Sequence, residues 1–330
     1  MDNLIYSLNA TMPIFLVMAV GYVLRQIKMV NEEFINVANK LCFKVTLPCM
    51  LLMNMMDCDI RHTFDGKYVL YCAATTMICI LVIWILAKLI LKDKTIVGEF
   101  VQGSYRGSAA ILGIALVTNI SGHAGMSSLM MLGSVPLYNI FAVIVLTFEA
   151  PQSRYEQMDN KNTDEQKKKE EKRKNIKKAC VGICKNPIIL SILFGMLLSC
   201  VNVHFPIIIE KTINSIGSLT TPLALIAIGA GFEGKKAIKK VEPAIAATMI
   251  KLVIQPAIFL PLAIVMNFET DKIVAALIML GAPTTATSYI MSKSMGHEGV
   301  LSASIVVLTT LLSAFTITVW VFILKTLNVI

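Results

Sequence analysis

Two segments of the chain combine helix-breaking residues with small hydroxyl residues inside long apolar runs. They read Gly103-Ser104-Tyr105-Arg106-Gly107-Ser108 and Gly281-Ala282-Pro283-Thr284-Thr285-Ala286-Thr287-Ser288. Glycine and proline loosen or remove main-chain hydrogen bonds, and neighbouring hydroxyls can bond the freed groups. A helix broken inside a membrane also exposes a half-helix N-terminus, whose partial positive charge favours an anion. Both segments therefore predict a binding site, with close helix packing by small residues as the alternative.

Three basic residues lie deep inside apolar runs. Arg106 is about nine residues into its run, or about 13 Å deep at about 1.5 Å per residue. Lys251 and Lys44 lie at similar depths in two other runs. A charge at that depth is costly unless it is paired or faces a cavity, so each residue is a functional candidate. For the two lysines, the alternative is a side chain that reaches back to the membrane surface.

Acidic residues are missing from the centres of the apolar runs. Glu99 lies near the end of one run, and Glu149 closes another. A proton relay through carboxylates is therefore not expected, and a sodium site would have only carbonyls and hydroxyls as ligands. An apolar interior with basic residues and no acids favours an anionic solute, which an inside-negative potential would drive outward.

The composition identifies lipid as the solvent around these runs. Of the 330 residues, 56% are hydrophobic and 15% are charged, and the mean hydropathy is +0.71. Soluble chains have about 45–50% apolar and about 25% charged residues. We predict an all-α integral membrane protein with ten spans, numbered one to ten in chain order. They cover residues 4–24, 34–56, 68–91, 97–119, 127–149, 187–203, 212–232, 243–266, 272–292 and 299–324.

A polar basic segment, residues 150–186, divides the chain into halves of five spans each, residues 1–149 and 187–330. With this segment in the cytosol, 21 Lys and Arg residues fall on the cytosolic side and 5 on the outer side. That asymmetry follows the positive-inside rule and predicts that both termini lie outside, in a multi-pass protein of the cell membrane. We interpret the segment as a solvated cytoplasmic linker, with a regulatory role as the alternative.

An odd number of spans in each half places the halves in opposite orientations, as in transporters with inverted repeats. Thr46-Leu47-Pro48 in span two has a counterpart in Thr220-Thr221-Pro222 in span seven, and spans four and nine correspond in the same pairing. Interrupted segments at matching positions point to the substrate site of a transporter. Further candidates for that site are Pro48, Pro222, Asn139 in span five, and Gln255 one turn beyond Lys251.

Several other functions are not expected from the sequence. The basic residues flank apolar runs or lie in the linker, so they do not indicate a nucleic-acid-binding face. The histidines are isolated, and Cys180 and Cys184 have no second pair to complete a zinc site. We therefore predict no metal, no cofactor and no nucleic-acid partner. No nucleophile motif, phosphate loop or pair of carboxylates inside a span indicates an enzyme.

The order and spacing of several short motifs resemble the auxin efflux carrier family, which includes plant auxin carriers and bacterial malate and malonate permeases. The similarity covers nearly all of both halves and excludes the linker. The motifs are Asn39-Lys40-Leu41, Thr46-Leu47-Pro48, Val135-Pro136-Leu137-Tyr138-Asn139, Lys185-Asn186-Pro187, Thr221-Pro222-Leu223-Ala224-Leu225, Lys251-Leu252 with Pro256, Ala282-Pro283-Thr284, Ser288-Tyr289 and Thr309-Thr310-Leu311-Leu312-Ser313.

This resemblance implies ten helices in a five-plus-five inverted repeat, with broken and crossing fourth and ninth helices that bear the substrate. It also implies carboxylate substrates, elevator-like alternation and a homodimer. The chain departs from the family in one motif, because Arg106-Gly107-Ser108 stands where members usually have Arg-Gly-Asn. Span four also lacks the proline of the plant members. The changed set of donors means that the substrate of a relative does not carry over, and auxin itself is not expected.

Together, these observations predict a secondary transporter that exports small organic anions by alternating access. Two alternatives remain from the sequence. A carrier of neutral or amphipathic solutes would be insensitive to the charge of Arg106. A channel or a substrate-sensing membrane protein would show conductance, or binding without translocation.

Overall fold

The computed structural model describes residues 2–56, 65–108, 125–150, 181–201, 203 and 205–330. Within these ranges no β-strand occurs, so the all-helical prediction is confirmed there. In chain order the helices are α1 (Asp2–Gln26), α2 (Glu32–Leu41), α3 (Leu47–Met56), α4 (Gly66–Ile90), α5 (Val97–Tyr105), α6 (Gly125–Phe148), α7 (Pro187–Val201), α8 (Ile207–Ser218), α9 (Thr220–Ala230), α10 (Gly234–Lys239), α11 (Val241–Met249), α12 (Gln255–Val265), α13 (Thr270–Gly281), α14 (Thr287–Ser294) and α15 (Val300–Thr326).

Six of the described helical segments are long and apolar enough to cross a membrane. Two of them contain a π-helical turn, Cys42–Thr46 or Ile250–Ile254, which joins α2 to α3 and α11 to α12. Many large apolar side chains on their outer faces are exposed, as expected for surfaces that contact lipid. The six segments are Glu32–Met56, Gly66–Ile90, Leu129–Phe148, Ile207–Ala230, Val241–Val265 and Val300–Thr326.

The start of predicted span seven differs from the structure. The helix begins at Ile207, directly after Pro206, and not at residue 212. Glu210 and Lys211 lie in its first turns and lower the local hydropathy, which moved the predicted start toward the C-terminus. The starts of α2 and α4, by contrast, are set by the N-cap residues Asn31 and Asp65. Their side chains accept hydrogen bonds from backbone N–H groups in the first turn of each helix.

Predicted spans four and nine both contain a break. Helix α5 ends at Tyr105 and is followed by extended backbone at Arg106, while residues 109–119 of span four lie outside the described residues. Helix α13 ends at Gly281, and α14 begins only at Thr287. Both α5, from Val97 to Tyr105, and α13, from Ile273 to Gly281, are buried around their whole circumference. These half-helices therefore contact protein and not lipid.

Close helix contacts elsewhere occur at glycines. A Cβ atom on Gly229 of α9 would lie 1.8 Å from the carbonyl oxygen of Met18 on α1, and one on Gly217 of α8 would lie 2.9 Å from the backbone nitrogen of Met50 on α3. Small residues let helix backbones approach each other in this way inside a membrane protein. The contact between α1 and α9 thus depends on the absence of a side chain at residue 229.

The substitution Gly229→Ala tests this packing. We expect it to destabilise the protein by about 1–3 kcal/mol or more, because the new methyl group forces α1 and α9 apart. Thermal unfolding in detergent measures the effect. Gly182→Ala is the matched control, since no atom lies within 4 Å of a Cβ placed there. Equal unfolding temperatures for Gly229→Ala and the wild type would contradict the packing described for α1 and α9.

Candidate functional site

The two broken segments meet each other. Gly107 and Thr284 form an antiparallel bridge, and the Ser108 N–H donates to the Pro283 carbonyl over 2.8 Å. We call residues 106–108 and 282–286 the crossing. The C-terminal ends of α5 and α13 both arrive at it, and α14 leaves it. The sequence predicted both breaks, the family resemblance implied that they cross, and the structure brings Gly107 and Thr284 into contact.

The carbonyl groups freed at the end of α5 are bound by side chains from other helices. The Thr284 hydroxyl donates to the Gly103 carbonyl over 2.7 Å, and the Gln255 amide donates to the Ser104 carbonyl over 2.7 Å. The backbone N–H of Thr284 donates in turn to the Thr309 hydroxyl over 3.0 Å. Buried main-chain groups need such partners because no water replaces them. Small hydroxyls and an amide thus stabilise the break, as the sequence indicated.

Lys251 performs the same role at the end of α13. Its ammonium group donates to the carbonyls of Met279, over 3.0 Å, and Leu280, over 2.8 Å. The side chain is 0% exposed. The alternative that Lys251 reaches back to the membrane surface is therefore wrong. A cation at a helix C-terminus also compensates the partial negative charge there.

Gly107 permits this close arrangement. A Cβ atom at residue 107 would lie 3.1 Å from both the Lys251 Nζ and the Met279 carbonyl oxygen. A side chain at residue 107 would therefore require the Lys251 ammonium group and the Met279 carbonyl to shift by a few tenths of an ångström. This contact explains why a glycine follows Arg106.

Arg106 is buried at the crossing and is 3% exposed. Its Nη2 donates to the Asn139 Oδ1 over 2.5 Å, and its Nη1 lies against the Met291 sulfur. The Asn139 amide nitrogen donates to the Val135 carbonyl, which turns the amide oxygen toward the arginine. Among the described residues, no carboxylate forms an ion pair with Arg106. Its charge is therefore compensated there only by neutral groups.

Two tyrosines lie next to Arg106 and its partner Asn139. The rings of Tyr105 and Tyr138 lie 5.8 Å apart, and the Tyr138 hydroxyl donates to the Met279 carbonyl over 3.2 Å. Both are buried. The arrangement offers a fixed guanidinium, hydroxyl groups and aromatic surface, a set of groups that can bind a carboxylate with an organic substituent.

The remaining predicted site residues fall into two groups. Thr285, Thr287 and Ser288 lie at or just before the first turn of α14, where the hydroxyls of Thr285 and Thr287 are 3.2 Å apart. Pro48 and Pro222 lie in α3 and α9 instead, beside the hydrogen bond of 2.8 Å between the Thr46 and Thr220 hydroxyls. The described hydrogen bonds of the crossing do not involve either proline.

Sequence reasoning assigned no role to Glu99 or Gln102. The Glu99 carboxylate accepts the backbone N–H groups of Gly299 and Ser302, each over 2.8 Å, at the start of α15. Gln102 donates to the Ser288 carbonyl over 2.7 Å. A signal was available for Glu99, since an acidic residue inside an apolar run requires a partner. These contacts fasten α5 to α14 and α15.

The residues that the structure describes contain no group of three or more His, Cys, Asp or Glu side chains that could hold a metal ion. The groups that line the crossing are cations, hydroxyls, amides and carbonyls. Their chemistry suits an anionic or polar organic molecule better than a divalent cation.

The comparison with known families agrees with the resemblance of the motifs. The family model described as membrane transport protein, which represents the auxin efflux carrier family, matches residues 6–321. The chain belongs to this family and is a membrane transporter. No curated protein matches the sequence significantly.

The substitution Lys251→Met tests the cap on α13. It removes the side-chain donor of the Leu280 carbonyl and leaves the Met279 carbonyl with Tyr138 alone, and an unsatisfied buried polar group costs about 1–3 kcal/mol. We therefore expect a clear fall in the unfolding temperature in detergent. Lys44→Met is the control, because Lys44 also lies within a predicted span but is exposed, and a surface change is worth about 0.5 kcal/mol or less. Equal stability of the two variants would contradict a capping role for Lys251.

Proposed function

Since the chain is a membrane transporter of the auxin efflux carrier family, we propose that it exports small organic anions, carboxylates above all, across the cell membrane by alternating access. The observation that carries this proposal is the buried guanidinium of Arg106 at the crossing, without a carboxylate partner among the described residues. A guanidinium binds a carboxylate through two parallel hydrogen bonds, and burial strengthens the interaction. The substrate would supply the negative charge that the described protein groups lack.

The two buried cations have different roles in this proposal. Lys251 is held by two carbonyl groups and by the C-terminal end of α13, so its charge is compensated within the fold. Arg106 contacts a neutral amide and a thioether. Substrate binding therefore involves Arg106 directly, with Ser108, Thr285, Thr287 and Ser288 as hydroxyl groups of the site, while Thr284, Lys251 and Gln255 hold the crossing in place.

The architecture that we propose has ten membrane helices in a five-plus-five inverted repeat. Two observations support it. Helices α5 and α13, at equivalent positions in the halves, both end at the crossing. The threonines Thr46 and Thr220, also at equivalent positions, are hydrogen-bonded to each other. An arrangement of this kind presents a site near the middle of the membrane to either side in turn.

We further propose that both termini lie outside the cell and that the basic linker lies in the cytosol, according to the distribution of Lys and Arg. An anion that binds from the cytosol then moves down the inside-negative potential, by about 2.3 kcal/mol per charge per 100 mV. No coupling to a proton or a sodium ion is needed for export in that direction.

Arg106→Ala tests the substrate class. Removing one member of a buried charge pair costs about 2–5 kcal/mol, so we expect at least about a 30-fold loss of kcat/KM for carboxylate uptake into proteoliposomes. A panel of labelled carboxylates with voltage and pH gradients imposed separately provides the measurement. The wild type should respond to voltage and not to the pH gradient.

Arg106→Lys keeps the charge but loses the planar fork, so it should retain more activity than Arg106→Ala. Size-exclusion profiles that match the wild type would show that both variants remain folded. Normal carboxylate uptake by folded Arg106→Ala would contradict the assignment of Arg106 to the site. Transport of an uncharged solute that is insensitive to this substitution would favour the neutral-solute alternative.

Pro283→Ala tests the break itself. Proline has no N–H to donate to the carbonyl four residues earlier, and here that carbonyl, of Met279, is bound by Lys251 and Tyr138. An alanine would supply the missing N–H, which would compete with Lys251 and Tyr138 for the Met279 carbonyl. The helix α13 would then continue toward α14. We expect uptake to fall by about 10–100-fold, the cost of a small misplacement at a site.

The control for this substitution is Pro261→Ala, since Pro261 lies within α12 and is exposed. Its uptake should match that of the wild type. An unchanged rate for Pro283→Ala would show that the break does not depend on the proline.

A further inference from the structure

A polar cavity lies at the opposite end of α14 from the crossing. It has a volume of about 250 Å³ and lies between one face of α2, continued by the π-helical turn Cys42–Thr46, and the C-terminal end of α14. Three lysines, two asparagines, a serine and a phenylalanine line it. Helix α14 has eight residues, so the cavity and the crossing are about 12 Å apart along it, at about 1.5 Å per residue.

The cavity carries positive charge that the described protein does not neutralise. Lys40, Lys44 and Lys293 line it, no acidic residue does, and none of the three forms an ion pair among the described residues. Lys40 and Lys44 are one helical turn apart on the same face, where like charges repel. Glu298, the next acidic residue after Lys293, forms an ion pair with Lys240. The hydrogen bond from Lys240 lowers the pKa of Glu298.

Two polar residues accompany the lysines in the wall of the cavity. Asn36 is exposed, and Ser294 is half-buried, with its hydroxyl donating to the Asn39 carbonyl over 3.3 Å. The Asn39 side chain is 3% exposed, and its amide lies beside the Tyr289 hydroxyl. The three lysines and Asn36 are therefore the groups open to a ligand.

We propose that this basic cavity binds a small oxyanion, with Lys40, Lys44 and Lys293 supplying the charge and Asn36 as a polar neighbour. Its volume lies just below the range of about 300–1,000 Å³ that accommodates drug-sized ligands, so it suits an acid of a few carbon atoms. The ligand carries carboxylate or phosphate groups with more than one negative charge, since three lysines converge on the cavity.

The position of the cavity suggests its role. Lys293 and the N-terminal end of α2 lie on the side that the sequence predicts to be cytosolic. The cavity captures a cytosolic anion there and raises its local concentration beside α14, whose other end forms part of the crossing. This role as a capture site rests on the proposed function, whereas the binding of an oxyanion to the cavity does not.

Titration calorimetry with succinate tests the binding site. The protein is Arg106→Ala in neutral detergent, in which the crossing is impaired and the cavity is intact. We expect saturable binding of succinate and none of succinamide, its uncharged analogue. Adding Lys44→Gln and Lys293→Gln should weaken succinate binding at least tenfold. The matched control adds Lys92→Gln and Lys239→Gln, two exposed lysines that do not line the cavity, and should bind as before.

Two results would overturn the site. One is the absence of succinate binding to Arg106→Ala under conditions in which the wild type binds it. The other is an unchanged affinity after the substitution of Lys44 and Lys293. Repeating the titration in phosphatidylcholine nanodiscs with and without phosphatidylglycerol distinguishes the source of the oxyanion. Equal affinity in both supports a site for soluble anions, while loss of binding with phosphatidylglycerol assigns the cavity to a lipid phosphate and overturns the capture role.

Transport separates this proposal from the proposed function. With Arg106 intact, Lys44→Gln with Lys293→Gln should raise the KM for carboxylate uptake and leave kcat unchanged, since only capture is affected. An unchanged KM would contradict the capture role. Carboxylate transport that is insensitive to Arg106→Ala would instead contradict the proposed function, and the calorimetric result on the cavity would stand independently.

Discussion

The requirement that every buried main-chain group find a partner controls the structure around the crossing. Breaking two helices inside the protein frees carbonyl groups at the ends of α5 and α13, where no water can bind them. Thr284 and Gln255 bind those of α5, and Lys251 binds those of α13. Gln255 and Lys251 lie about one turn apart on the continuous helix from Val241 to Val265. That single helix therefore supports both broken segments, and its π-helical turn lies where the two side chains emerge.

The same requirement for partners gives two buried cations, Lys251 and Arg106, different surroundings, although both lie deep inside apolar runs of the sequence. Lys251 is enclosed by carbonyl oxygens, which supply negative potential without an acidic residue. Arg106 is buried as deeply but has a neutral amide and a thioether beside it. A fold that already compensates one charge and leaves the other to neutral groups is suited to an anionic ligand. This difference, and not the number of basic residues, supports a carboxylate as the cargo.

Further contacts join the helices around the crossing into one unit. Glu99 of α5 caps the start of α15, and Gln102 of α5 binds the Ser288 carbonyl of α14. A change of position by one of these helices would therefore involve the others. The basic cavity has one wall on this unit, at Lys293, and the other on α2.

The sequence by itself determined the all-helical class, the interruptions in spans four and nine, and the candidacy of Arg106, because hydropathy, glycine, proline and buried charge act locally; the structure places the breaks after Tyr105 and Gly281. That the two breaks meet followed only from the resemblance to the family, because no local pattern shows which of two distant residues, Gly107 and Thr284, come together. The sequence also could not tell the capping role of Lys251 from a side chain that reaches the membrane surface. Those outcomes depend on which helices pack together, and only the tertiary structure decides where a long side chain finds its hydrogen-bond partners.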